Sequence, residues 1–132
     1  RTPGSTRFIG ASMKNNGVTD LIDLDPIFET GCVTVPYNGN SVGVAFYQDA
    51  PFYASDDVNV LVPPPNGPDV HALLFVCTMI RHERSRYTYG YKWNLRRMKK
   101  TTIHLPATTE GDPDWSEMSR FVRGLAFSGA IV

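Results

Sequence analysis

The run Pro63-Pro64-Pro65-Asn66-Gly67-Pro68 divides the chain into two parts with different periodicities. Proline fixes φ and lacks an amide donor, so neither a sheet ladder nor a helix interior continues through such a stretch. Ahead of it the chain reads as short strands and turns. Arg7-Phe8-Ile9-Gly10-Ala11 is a candidate strand, followed by a polar turn at Lys14-Asn15-Asn16-Gly17, where Asn-Gly accommodates positive φ. Residues 31–35 and 41–47 are β-branched and aromatic runs flanking Pro36-Tyr37-Asn38-Gly39-Asn40, which predicts a hairpin turning on Asn38-Gly39. Residues 51–54 and 58–62 add strand material. The latter lacks clean alternation, as a strand buried on both faces would.

Behind the prolines the period changes. Asp69 is a fitting N-cap, and residues 70–81 are apolar nearly all round, which predicts a central, buried helix. Residues 85–90 read as loop, 92–100 as a short basic helix carrying Trp93, Leu95 and Met98, and 101–106 as a strand ended by Pro106. Asp112-Pro113-Asp114-Trp115 predicts a final helix with an Asp cap and proline at its first position, ended near Gly124. There is no internal repeat. The expected class is α+β: a twisted, largely antiparallel sheet with a buried central helix and short C-terminal helices.

With 132 residues and 42% apolar content, one compact domain over residues 1–132 is expected. The absence of an initiator Met suggests a fragment of a longer chain, although a removed tag leaves the same start, and that start lacks the apolar run of a signal peptide. The longest strongly apolar run, 72–77, is far below the ~20 residues of a membrane helix, so no membrane partner is expected. Cys32 and Cys77 form no CxxC pair and lie in apolar stretches, as small core residues of a cytoplasmic protein would.

The formal net charge of zero hides a separation. Between Asn15 and Ile80 there are eight acids and no Lys or Arg, whereas residues 81–100 hold eight bases against Glu83 alone. One basic side is the usual footprint for a polyanion, although a solvated helix face gives the same pattern.

Little points to catalysis. His71, His82 and His104 lack metal-ligand spacing, since the first two are about three helical turns apart. No nucleophile elbow, phosphate-binding loop or dinucleotide fingerprint occurs. Asp56-Asp57 could hold Mg²⁺ as nucleases do, but adjacent strand residues face opposite sides, and Val58-Asn59-Val60 supplies no lysine beyond them.

Recognition chemistry is better supplied. Residues 81–97 interleave bases with Tyr87, Tyr89, Tyr91 and Trp93, although local packing explains those aromatics equally well. The turns at 14–16 and 37–41 carry amides suited to base edges. Arg84, Arg86, Lys92, Arg96 and Lys99 are candidates for neutralising phosphates. Asn15, Asn38, Asn40, Ser41 and one or more arginines are candidates for reading bases, with Lys14, Asn16, Tyr89, Asn94 and Arg97 completing the candidate DNA-binding set. The rival class is a protein-docking module, because Tyr, Trp and Arg are also hot-spot residues.

Five stretches in order carry a resemblance: residues 38–47, Pro51-Phe52-Tyr53-Ala54-Ser55-Asp56-Asp57-Val58-Asn59-Val60-Leu61, Leu74-Phe75 through Thr78-Met79-Ile80, Tyr87-Thr88-Tyr89-Gly90-Tyr91-Lys92-Trp93, and residues 97–106. Together they resemble the target recognition domains of type I restriction–modification specificity subunits and of related fused enzymes. The resemblance implies an α/β domain that touches double-stranded DNA through loops and directs DNA methyltransferase and restriction subunits, or fused domains, to a half-site. It implies no catalysis and no cofactor in this domain, with S-adenosylmethionine, ATP and Mg²⁺ belonging to partner subunits or domains. It also implies that Asp56 and Asp57 begin a structural strand and hold no metal. Long spacer helices are absent, so the likeness is to one isolated recognition domain.

Overall fold

A computed structural model describes residues 3–37, 39–86 and 95–125. β1 (Pro3–Ile9) pairs antiparallel with β2 (Val18–Ile22), with Arg7 opposite Leu21 and Phe8 opposite Asp20. The link between them is the predicted polar turn. Asn15, Asn16 and Gly17 all take positive φ, at 52°, 54° and 82°. Such a run is tolerable because Asn and Gly enter the left-handed region at low cost. β5 (Phe52–Ala54) lies parallel along the other edge of β1, completing a three-stranded sheet of order β2-β1-β5. The second sheet has β3 (Val33–Pro36) at its centre, flanked antiparallel by β4 (Phe46–Tyr47) and β6 (Val58–Leu61). The α+β class therefore holds, with the strand material divided between two largely antiparallel sheets.

Three local expectations are corrected. Residues 41–47 supply only the two-residue β4. Ser41 to Ala45 instead form a buried loop, because Val42 and Ala45 turn inward onto the core formed by β3 and the first helix. β3 and β4 are thus joined by a long loop in place of a two-residue hairpin turn, and Asn38 lies outside the described residues. Among the described residues, 101–106 pair with no strand, and Ala107 makes a single bridge, to Pro113. The last helix is capped by Asp114, whose carboxylate accepts from the Glu117 amide, so Pro113 precedes the cap. The bridge to Ala107 draws Pro113 into strand-like pairing, and the helix begins after it.

The helical half follows the pattern more closely. α1 (Val70–His82) begins at Asp69, whose carboxylate accepts from the Ala72 amide at 2.9 Å. A short α2 (Leu95–Lys100) follows, then α3 (Trp115–Arg123). α1 buries Leu73, Cys77 and Ile80 against Val33 and Val35 of β3 and against Val42 and Ala45 of the loop. A second cluster, Ile9, Cys32, Phe52 and Val58, joins the two sheets. α3 docks on α1 through Met118 and Val122, the edge-on ring pair Phe75 and Phe121, and a 2.7 Å hydrogen bond from the Ser119 hydroxyl to Asp69.

Asp69 thus serves two helices with one carboxylate. Partial burial pushes its pKa up, but the Ala72 amide, the Ser119 hydroxyl and the nearby His71 and Arg123 outweigh this and hold it below the ordinary carboxylate value. A depressed folded-state pKa stabilises the fold above the unfolded-state value and loses that contribution as pH falls through the folded one. Asp69→Ala is expected to cost about 1–2 kcal/mol near neutral pH, as loss of a cap commonly does. Urea unfolding of both proteins checks this, and the gap between them should narrow as the pH drops below the carboxylate range.

Candidate nucleic-acid interface

Gln48 sets the geometry of the site. Its side chain is fully buried and links three segments. Its amide nitrogen donates to the Asn16 carbonyl at 2.9 Å and to the Thr34 hydroxyl at 3.0 Å. The Asn16 side-chain amide donates in return to the Tyr47 carbonyl at 2.8 Å. The turn at 15–17 is thereby fastened to β3 and β4. Gly17 packs so closely on Phe46 that a Cβ there would lie 3.3 Å from its ring, on top of the positive φ.

Two arginines fasten the other side. Arg81, in the last turn of α1, donates from Nε to the Ala45 carbonyl at 3.0 Å and lies 4.9 Å from the centroid of the Phe46 ring. Arg84, in the 3-10 turn Glu83–Arg86, donates from Nε to the Val42 carbonyl at 2.9 Å and from Nη2 to the Asn40 carbonyl at 2.8 Å. The start of the basic segment therefore touches the loop near 40 and, through Phe46, the turn near 15. Asn15, Asn16, Phe46 and Arg81 line one open cleft of about 860 Å³. Leu74 and Cys77 form part of its apolar wall, and the 2.6 Å ion pair between Arg7 and Asp49 stands at it.

The predicted residues fall into distinct settings. Lys14, Asn15 and Asn40 are exposed, and the Asn15 amide donates to the Val18 carbonyl at 3.2 Å. Asn16 is half-buried with its amide engaged as above, and Ser41 is buried. Arg84 is half-buried, with the described bonds of its guanidinium directed at backbone carbonyls. Arg96 and Lys99 are exposed on α2. Arg86 and Arg97 have their backbones in the 3-10 turn and α2, while their side chains, like the whole of Asn38, Tyr89, Lys92 and Asn94, lie outside the described residues.

Asp56 and Asp57 are exposed in a turn leading into β6, where the Ser55 hydroxyl accepts from the Asp57 amide and the Asp57 carbonyl accepts from the Tyr37 amide. They are turn residues, so strand alternation does not decide where their carboxylates point. Arg81 was not singled out from the sequence. A signal existed: Val70, Leu74, Cys77, Thr78 and Arg81 recur at helical spacing and line the cleft as one stripe of α1.

Taken together, these features define a mixed α+β module in which the polar turn at Asn15 and Asn16, the end of the loop before β4 and Arg81 of the basic segment line one cleft. The chain belongs to the family of type I restriction modification DNA specificity domains, matched over residues 1–131. It is 37% identical over 121 residues to the specificity subunit S.BcgI of a type II restriction enzyme from Heyndrickxia coagulans, covering 91% of this chain and 35% of that subunit. Its fold is similar to the crystal structure of the S subunit of a type I restriction–modification system from M. genitalium, with a TM-score of 0.61 at 17% identity over 89% of this chain and 29% of that one. The chain thus spans about a third of the length of these relatives. Its place in the family makes it a specificity module, not a catalytic domain. Among the described residues, no helix is long and apolar enough to cross a membrane.

Both cysteines are free and buried. Burial, only partly offset by Arg81, pushes the Cys77 thiol up to about 12, and burial together with Glu29 raises Cys32. A thiol that stays protonated is a poor nucleophile. Native protein at pH 8 is therefore expected to react with neither thiol on the timescale in which urea-unfolded protein titrates both, as followed with a chromogenic disulfide reagent.

Proposed function

We propose that the chain acts as one target recognition domain that reads double-stranded DNA for a restriction–modification system. The observation that carries this reading is that the Asn15-Asn16 turn, Ala45 at the end of the loop before β4, and Arg81 at the beginning of the basic segment line one cleft, while Arg81 and Arg84 bond carbonyls of that same loop. Family membership supports it. DNA recognition divides into phosphate contacts, which position, and base contacts, which specify. Arg96 and Lys99, exposed on α2, suit the first task. Asn15 and Asn40, exposed on turns held by side-chain bonds to their backbone, suit the second.

In this reading the domain works inside the cytoplasm. It guides DNA methyltransferase and restriction subunits, or domains fused to it, and it carries out no bond-breaking step. S-adenosylmethionine, ATP and Mg²⁺ are used by those partners. A docking role for the cleft is the alternative that Leu21 and Leu125 favour, since both line it and remain about half exposed, at 49% and 51%.

Fluorescence anisotropy of duplex DNA at several salt concentrations tests the reading. Binding should be weak and salt-sensitive, as for a half-site. Arg96→Ala with Lys99→Ala should weaken all sequences alike and reduce the slope of log K against log salt by roughly 2, near 0.9 for each phosphate no longer neutralised. An unchanged slope removes α2 from the interface. Absence of salt-dependent binding by the unaltered chain overturns the DNA reading and favours protein docking.

A further inference from the structure

The loop between β3 and β4 has an unusual construction. Its base is closed when the Gly43 amide donates to the Pro36 carbonyl at 2.9 Å, with Gly43 at φ 78°. Its inner half is packed away, since Val42 and Ala45 belong to the core. Among the described residues no strand pairs with this loop, and the carbonyls of Asn40, Val42 and Ala45 each accept from a guanidinium group, two from Arg84 and one from Arg81. The two arginines are three positions apart, one in the last turn of α1 and the other in the 3-10 turn that continues it, so together they reach along the loop. Arg84 engages adjacent donors, Nε and Nη2, on two carbonyls at once. That bidentate use depends on the planar fork of arginine, which a lysine ammonium does not reproduce.

We infer that Arg84 is a positioning residue for sequence discrimination: it holds the loop so that exposed Asn40 is presented at a fixed place, and it does not act chiefly by neutralising a phosphate. This rests on the DNA-reading function proposed above and corrects the phosphate role expected for Arg84 from its charge. The two roles differ in what they predict. A phosphate contact contributes to every sequence equally and to the salt slope. A residue that aims a base-reading side chain contributes to the ratio between sequences.

The test begins by selecting a preferred duplex from a randomised duplex pool with the unaltered chain. Affinity for that duplex and for a scrambled one is then measured across salt for the unaltered chain, Arg84→Lys and Arg84→Ala. Circular dichroism and thermal unfolding verify that each variant is folded. Arg84→Lys is expected to lose about tenfold in the ratio of affinities, the order of discrimination one good base contact supplies, with the salt slope unchanged. If Arg84→Lys keeps the ratio, while Arg84→Ala weakens both duplexes equally and lowers the slope by about one, the positioning role is overturned in favour of a phosphate contact. Should the Arg84 variants fail to fold, Asn40→Ala decides the matter, because it leaves the Asn40 carbonyl in place. It should lose the same discrimination at constant slope, and full retention of discrimination overturns the inference. Absence of binding by the unaltered chain is a separate outcome that overturns the DNA reading itself.

Discussion

The amide of Gln48 is the tie on which the arrangement of this domain depends. A fully buried primary amide is costly unless its donors and acceptor are engaged, and the protein interior strengthens both the bonds made and the penalty for any left unmade. Gln48 meets the requirement only when Asn16 and Thr34 are both in place beside it. Its own backbone also exchanges bonds with Cys32 and Gly31. The relation between the turn at 15–17 and the second sheet is therefore fixed by directional bonds, where apolar packing alone would tolerate several.

That tie has a consequence for the cleft. With the 15–17 turn held against Phe46, the edge of the first sheet stands opposite α1, and the space between them stays open. α1 forms the wall with a stripe of residues at helical spacing, its last turn delivers Arg81 to the loop that precedes β4, and the 3-10 turn that follows delivers Arg84. A loop without a ladder must still satisfy its carbonyls. Here the donors come from arginines that would otherwise count only as positive charge. The same side chains thus connect folding to the surface that reads DNA in the proposed function.

The elements legible in the sequence are those governed by local chemistry. The Asn-Asn-Gly turn, the apolar helix behind the proline run and the Asp69 cap follow from backbone preferences and short-range periodicity, and they occur as those rules require. Residues 41–47 and 101–106 show the limit of such reasoning. Both have strand-like composition, yet β-propensity describes fitness for a pleated, half-buried surface and needs a partner strand to act upon. Val42 and Ala45 find α1 and β3 instead, and residues 101–106 find no partner strand among the described residues. Among the candidate site residues, charge and amide content single out segments but leave open which way each side chain turns. Asn16 and Ser41 are drawn inward, whereas Asn15 and Asn40, their immediate neighbours, remain exposed.

By itself, then, the order of residues determined where the chain turns, where it becomes helical, which part is basic, and which family it resembles. All of these depend on contacts within a few positions or on composition. Only the tertiary structure decided that the strands split between two sheets, that Gln48 couples a turn to a sheet across a gap of some thirty residues, and that Arg84 faces carbonyls of a loop more than forty positions away. The physical reason is that a buried hydrogen bond selects its partner by position and direction in space, and sequence spacing carries no record of either.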